Sequence, residues 1–187
     1  MKLVLIRHPA PDVEGGTCYG RLDVGLRPDT GPAIAAIAQS VRGHQVTTVW
    51  SSPSARCLIP ARAAATSAGV RLLVDPRLQE LNFGQWEGMR WADVPRAALD
   101  RWAADPPGFA PPGGEAGIAL LARVTDLMST LRAEAVDCAV ISHGGPLRIL
   151  RALAEGGTPD LLAAPPPFGA IIPLTVNLTE TAIGGKC

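Results

Sequence analysis

An α/β fold, built on a mainly parallel sheet with helices over both faces, is predicted by three observations. Short apolar runs of strand length alternate with amphipathic stretches of helical period. The first run, "KLVLI", shows no polar alternation, the pattern of a strand buried on both faces. The connections carry the proline, glycine and small polar residues that open and close helices. At 187 residues the chain is expected to form a single domain, 1–187, large enough to bury a core without cross-links.

Lys2 to Ile6 is the first strand. Thr30 reads as a helix cap, with Pro32 in the first turn, Ile34, Ile37 and Val41 on one face and Gly43 as the stop. Val46 to Trp50 is the second strand. Ser52 and Pro53 open a second helix that runs to about Gly69. Pro60 inside it lacks the N–H that would meet the Arg56 carbonyl, which predicts a kink or a bridging water. "VRLLVD", from Val70 to Asp75, is the third strand. "DPPGFAPPGG", from Asp105 to Gly114, is too rich in proline and glycine for packed structure and reads as a rim or lid over a pocket, or as a passive crossing. From Glu115 to Glu134, Ile118, Leu121, Thr125, Met128 and Arg132 follow one stripe beside Val124, Leu127 and Leu131, as in an amphipathic helix. "CAVIS", from Cys138 to Ser142, is the fourth strand. Pro146 starts a helix that buries Leu147, Leu150 and Leu153 and ends near Gly156. "APPPFG" leads into a last strand, Ala170 to Leu178, where Pro173 predicts an edge position or a bulge.

The 17 basic and 17 acidic residues balance, so nothing in the charge points to nucleic acid or an anionic membrane. Lys2 and Lys186 are the only lysines; the remaining cations are arginines, the better bidentate phosphate ligands. The four cysteines, Cys18, Cys57, Cys138 and Cys187, lie far apart and suggest neither a zinc site nor a disulfide framework. The N-terminal apolar run is short and leads into charge, unlike a signal peptide, and no stretch approaches the ~20 apolar residues of a membrane span. The expectation is a cytoplasmic protein whose partner is a small molecule, with no metal or cofactor, no nucleic acid and no membrane.

Open parallel sheets bind ligands beyond the carboxyl ends of their strands. There the first strand ends in Arg7-His8, the second in Ser51-Ser52-Pro53 with Arg56 in the following turn, and the fourth in "SHGGP" with His143 at its tip. The third leads to "RLQELNFGQWEG", which holds Glu80 and Glu87. Taken singly, each of these side chains is more often an ordinary surface or capping residue; gathered at one sheet edge they fit a phosphoryl site. Its three charged oxygens call for planar donors. Arg7 and Arg56 supply forks, His143 a further donor, and the amides of the helix opened by Gly144 a positive dipole. A neutral imidazole can attack phosphorus, and a carboxylic acid can protonate the departing oxygen and then deprotonate water.

"IRHP", "SSPSAR", "ELNFGQWEG" and "VISHGG", in this order and across nearly the whole chain, resemble the histidine phosphatase superfamily, also called phosphoglycerate mutase-like. The resemblance implies a three-layer α/β/α sandwich, transient phosphorylation of His8, a phosphate pocket of Arg7, Arg56 and His143, and Glu80 as the acid, with Glu87 orienting its loop. Two positions depart from the family pattern. Pro9 stands where most members have glycine, and Glu14 where many have a phosphate-binding asparagine. The loop "GTCYGRLDVGL" is therefore expected to complete the pocket. It resembles the "C-Y-G-R-x-D" of alpha-ribazole phosphatases of cobalamin biosynthesis, which implies substrate contacts from Cys18, Tyr19 and Arg21; Arg21 reads equally as a surface residue near a turn.

The resulting expectation is a metal-independent phosphomonoester hydrolase, with alpha-ribazole 5′-phosphate as one candidate substrate. A phosphoglycerate mutase-like or broad-specificity enzyme is the alternative within this chemistry. A phosphate-binding module without turnover is the alternative outside it, disfavoured because nucleophile and acid are both present. Reading His8, His143 and Glu80 as metal ligands is disfavoured by the two arginines, which would repel a cation. Trp86, Trp91 and Trp102 are read as core or rim packing in preference to a pocket lining. Neither the leaving group nor the oligomeric state is legible.

Overall fold

The computed structural model describes residues 1–178; Lys186, Cys187 and the end of the expected 1–187 domain lie outside the described residues. Five strands, β1 (Lys2–Arg7), β2 (Thr48–Ser51), β3 (Arg71–Val74), β4 (Cys138–Ser142) and β5 (Ile171–Thr175), form one sheet in the order β3-β2-β4-β1-β5. All neighbours are parallel except β5, which runs antiparallel to β1 at the edge. Pro173 sits there opposite Val4, where its missing N–H costs no interior ladder bond.

Alternation along the strands divides the core into two layers. Val4, Ile6, Val49, Ala139 and Ile141 face α1 (Gly31–Gly43) and α2 (Ala55–Ala68). Leu3, Leu5, Trp50, Cys138 and Val140 face α4 (Gly117–Glu134) and α5 (Gly144–Ala154). The result is the three-layer α/β/α arrangement. α2 continues without interruption through Pro60 and stops at Gly69, whose φ of 69° closes the helix in the left-handed region.

Three expectations need correction. The buried stripe of α4 is Leu120, Val124, Leu127 and Leu131 with Met128, whereas Ile118 is 54% exposed. The helix starts two residues later than Glu115, and the row expected beside the stripe, Val124, Leu127 and Leu131, is the one that faces the core. Thr30 does not cap α1 with its side chain; its hydroxyl donates to the Arg27 carbonyl across a preceding 3-10 turn. A further helix, α3 (Arg96–Ala104), was not read from the sequence; it is short and polar on average and has no fully buried residue.

Outside the sheet, Phe83, Trp86, Trp91, Trp102 and Phe109 form an aromatic cluster, with Trp91 stacked on Trp102 at 5.9 Å and Trp86 on Phe109 at 5.8 Å. Within the largely exposed Asp105–Gly114 stretch, Phe109 packs into this cluster. No helix among the described residues is long and apolar enough to cross a membrane.

Candidate active site

Strand register sets the site. Arg7 lies opposite Ser142 on β4, and Ser51 on β2 lies opposite Ile141, so His8, His143 and Ser52 leave the sheet side by side. The rings of His8 and His143 approach to 5.2 Å at 66°, both buried.

The tautomer of His8 follows from its neighbour. Its Nδ1 lies 2.6 Å from the Pro9 carbonyl, which can only accept, so Nδ1 carries the proton and Nε2 the lone pair. Burial lowers its pKa to about 3; the Pro9 bond opposes that shift, and the charges of Arg56 and Arg7 reinforce it. His8 is therefore a neutral imidazole with a free nucleophilic nitrogen near neutral pH.

Arg7 leaves the end of β1 with its guanidinium 4.0 Å from the Phe168 ring centre, donates to the Pro166 carbonyl and has the Tyr19 hydroxyl nearby. Tyr19 also lies under Arg56, 5.1 Å from its guanidinium carbon, and so joins the two arginines. Arg56 is wholly buried. It donates to the Gly20 carbonyl at 2.6 Å, to the Leu22 carbonyl at 2.8 Å and, through Nε, to His143 Nδ1 at 3.3 Å. Because an arginine never accepts, His143 must carry its proton on Nε2, 2.8 Å from Ser52 Oγ. Burial, with the charge of Arg56, also holds His143 neutral. Its N–H is thus directed at Ser52, and the Arg56 fork holds the 20–22 loop with two of its N–H groups.

Glu80 follows β3 and a 3-10 turn. Its carboxylate accepts from the Leu81 amide at 3.0 Å and from the Gly145 amide at 3.1 Å. The Gly145 amide in the first turn of α5 is therefore engaged by the Glu80 carboxylate. The glycine pair is a packing requirement. A Cβ at Gly145 would fall 2.2 Å from Glu80 Oε1, and one at Gly144 would fall 2.7 Å from Pro165 and 3.7 Å from the Arg7 guanidinium.

The backbone of the acid loop is clamped. Arg123 on α4 donates to the carbonyls of Arg77, Gln79 and Glu80 and to both oxygens of Glu115. Burial alone would raise the Glu115 carboxyl; Arg123, with Arg21 adding charge, brings it below the usual carboxylate value. Arg21 is part of this clamp: it donates to the Glu80 carbonyl at 3.3 Å and to Glu115 at 3.0 Å, and its amide donates to Glu87. Glu87 also accepts from the Phe83 amide, so it orients the loop.

Of the side chains expected to touch substrate, Tyr19 faces the two arginines, whereas Arg21 faces the acid loop. Cys18 is buried in the aromatic cluster with Trp86 and Val94 and cannot reach a ligand. Glu14 pairs with Arg90 at 2.9 Å and is 70% exposed, at the edge of a cavity that Tyr19 and Phe168 also line. Trp102 and Phe83 line a cavity next to Glu80, while Trp86 is core. Glu115, Arg123, Phe168 and Arg148 went unread in the sequence. For Arg148 a signal existed: it stands four residues after Gly144, on the same helix face as the glycine that opens α5. Among the described residues, no group of three or more histidines, cysteines or carboxylates could hold a metal ion.

Comparison with known proteins agrees with this geometry. The family model for the histidine phosphatase superfamily (branch 1) matches residues 3–168. The glucosyl-3-phosphoglycerate phosphatase of Mycobacterium tuberculosis is 30% identical over 167 residues, covering 81% of this chain and 74% of that protein. A solved mycobacterial glucosyl-3-phosphoglycerate phosphatase, complexed with VO3, superposes with a TM-score of 0.80 at 26% identity over 93% of this chain and 90% of that one. The alpha-ribazole phosphatase of Shigella flexneri has the same fold, with a TM-score of 0.80 at 23% identity over 95% and 91% of the two chains.

Proposed function

This chain belongs to the histidine phosphatase superfamily, branch 1, and is a phosphatase; we propose that it hydrolyses small-molecule phosphate monoesters without a metal, through a phosphohistidine on His8. The observation that carries the proposal is the His8 tautomer: Nδ1–H is fixed on Pro9, so the Nε2 lone pair is free. That lone pair attacks phosphorus while the ester P–O bond breaks and Glu80, entering protonated, gives its proton to the departing oxygen. The Glu80 carboxylate then takes a proton from water, the water oxygen attacks phosphorus, and the P–N bond breaks to return neutral His8. Arg7 and Arg56 lie where they can balance the charge on the phosphoryl oxygens. His143 orients Arg56 through Nδ1 and, by turning its N–H from Ser52, can become a donor to phosphate.

His8→Ala should abolish both turnover and the acid-labile phosphoenzyme. Glu80→Gln should still form phosphoenzyme from esters with good leaving groups and lose most, by about 10²-fold or more, on esters of poor ones. Equal losses across a leaving-group series would place the acid elsewhere, and full activity in His8→Ala would end the proposal.

The leaving group is a small alcohol. The "C-Y-G-R" stretch supports alpha-ribazole 5′-phosphate, and hence a step of cobalamin biosynthesis, through Tyr19 alone, since Cys18 and Arg21 face away from the site. A turnover panel of alpha-ribazole 5′-phosphate, phosphoglycerates, sugar phosphates and phosphopeptides decides among them. Cytoplasmic location belongs to the same proposal. It fits the three described cysteines, all free and buried, as a reducing compartment would keep them.

A further inference from the structure

Ser52, the residue after β2, is wholly buried. Its amide donates to the Ile141 carbonyl at 3.1 Å, and its own carbonyl accepts from the Ser51 hydroxyl at 2.8 Å. The backbone is thereby fixed on both sides, and Ser52 Oγ is held where it accepts the His143 Nε2–H at 2.8 Å.

His143 has a single N–H to give. Burial and the charge of Arg56 keep its ring neutral, and the Arg56 Nε–H occupies Nδ1 at 3.3 Å. With Ser52 on the other nitrogen, neither side of the ring is open to a ligand. The two bonds are joined through the ring plane. A ring that turns its N–H from Ser52 also withdraws Nδ1 from Arg56, so a phosphoryl oxygen that displaces Ser52 gains two donors at once. Substitute partners are poor. Cys57 Sγ lies 3.5 Å from Nε2, and sulfur is a weak acceptor. The bonds between Ser52 Oγ and the Ser54 hydroxyl and amide are long, at 3.4 Å each.

We propose that Ser52 is a positioning residue that holds the His143 N–H in the empty site and thereby keeps the product, inorganic phosphate, weakly bound. The inference rests on the phosphatase reading and deepens it. A phosphate oxygen must take from Ser52 the donor that it binds, so binding gains only the difference between two hydrogen bonds. The loss falls on ester and product alike, because both present the same oxygens to His143. Ser52 therefore favours release of phosphate without contributing to the cleavage step.

The test measures competitive inhibition by inorganic phosphate during hydrolysis of phenyl phosphate, for wild type, Ser52→Ala and Ser52→Cys, with phosphoenzyme on His8 followed in each. Ser52→Ala leaves the His143 N–H with the Cys57 sulfur as its acceptor until phosphate arrives. Its inhibition constant should fall by about fivefold or more, the effect of one buried donor left poorly paired. Ser52→Cys keeps a weak acceptor and should shift in the same direction by a smaller factor; it decides the matter if Ser52→Ala does not fold. A merely structural role would loosen phosphate binding, so the sign of the change separates the two. Nitrogen NMR of wild type carrying isotopically labelled histidine gives a second readout: the His143 proton should sit on Nε2 in the phosphate-free protein. An inhibition constant unchanged or raised in the folded variant, or a proton on Nδ1 in phosphate-free wild type, would overturn the inference while the phosphatase reading stands. A wild type that neither turns over phenyl phosphate nor forms phosphoenzyme would overturn the phosphatase reading, and the inference with it.

Discussion

Opposed forces act on the ring of His8. Burial, with Arg56 and Arg7 nearby, disfavours a second proton, and the Pro9 carbonyl favours the N–H it already holds; the balance lies at about 3. Between pH 6.5 and about 3 the unfolded chain takes up a proton that folded His8 refuses, so stability falls as pH falls through that window. His143 is shifted in the same direction and adds to the slope. Each such histidine contributes up to about 1.4 kcal/mol per pH unit. The urea midpoint of wild type should therefore decline steadily from pH 6.5 towards 4, and His8→Asn should decline less steeply. Parallel profiles for the two proteins would show that His8 is protonated in the fold. Arg7, His8, Arg56 and His143 were legible in the sequence because strand ends and helix starts place them at one edge whatever their side chains do, whereas Glu80, in a loop past β3, was legible through the "ELNFGQWEG" motif. The direction each side chain takes was not. Arg21 and Cys18 lie either side of Tyr19 and Gly20 in a loop, where neither the period of 2 nor that of 3.6 assigns a face.

At the level of elements, the Glu80 loop between β3 and α3 is held by side chains remote in sequence. Arg123 reaches it from α4 and is only 15% exposed, and it fixes three carbonyls together with Glu115. Removing it leaves those carbonyls and a partly buried carboxylate short of donors. Arg123→Met is expected to cost about 2–4 kcal/mol by urea denaturation. It should also lower kcat several-fold more than it weakens inhibition by inorganic phosphate, because Glu80 loses its aim while Arg7 does not. An unchanged kcat in the folded variant would make the clamp a stability device alone. The five strands and four of the five helices were readable because their apolar runs are long and regular. α3 and the clamp were not: the one is short and only partly buried, through Ala98, Leu99 and Trp102, and the other joins Glu115 to the 77–80 carbonyls by contacts that leave no periodic trace.

Over the whole molecule, two kinds of core coexist. The sheet with its four covering helices forms the main core, whereas the aromatic cluster of Phe83, Trp86, Trp91, Trp102 and Phe109 has its own buried centre of Cys18, Trp86 and Val94 and meets the main core through Phe83. The cluster is tied to the 16–18 loop by the packed Cys18 side chain and by backbone bonds: Cys18 to Met89 at 2.8 Å, Gly88 to Cys18 at 2.7 Å and Trp91 to Gly16 at 2.8 Å. Such a satellite core, which walls the cavity beside Glu80, should open without unfolding the sheet. In native-state hydrogen exchange, the amides of Cys18, Gly88 and Trp91 should share one opening free energy, lower than that of Val4 to Ile6 and Ala139 to Ile141. Trp102→Ala, which removes ring contacts to Phe83 and Trp91, should lower that shared value by about 2 kcal/mol. The sheet amides should follow only the global stability. If the satellite amides instead exchange with the same free energy as the sheet in both proteins, the wall of the cavity is as rigid as the core, and entry of the alcohol requires no opening of this segment.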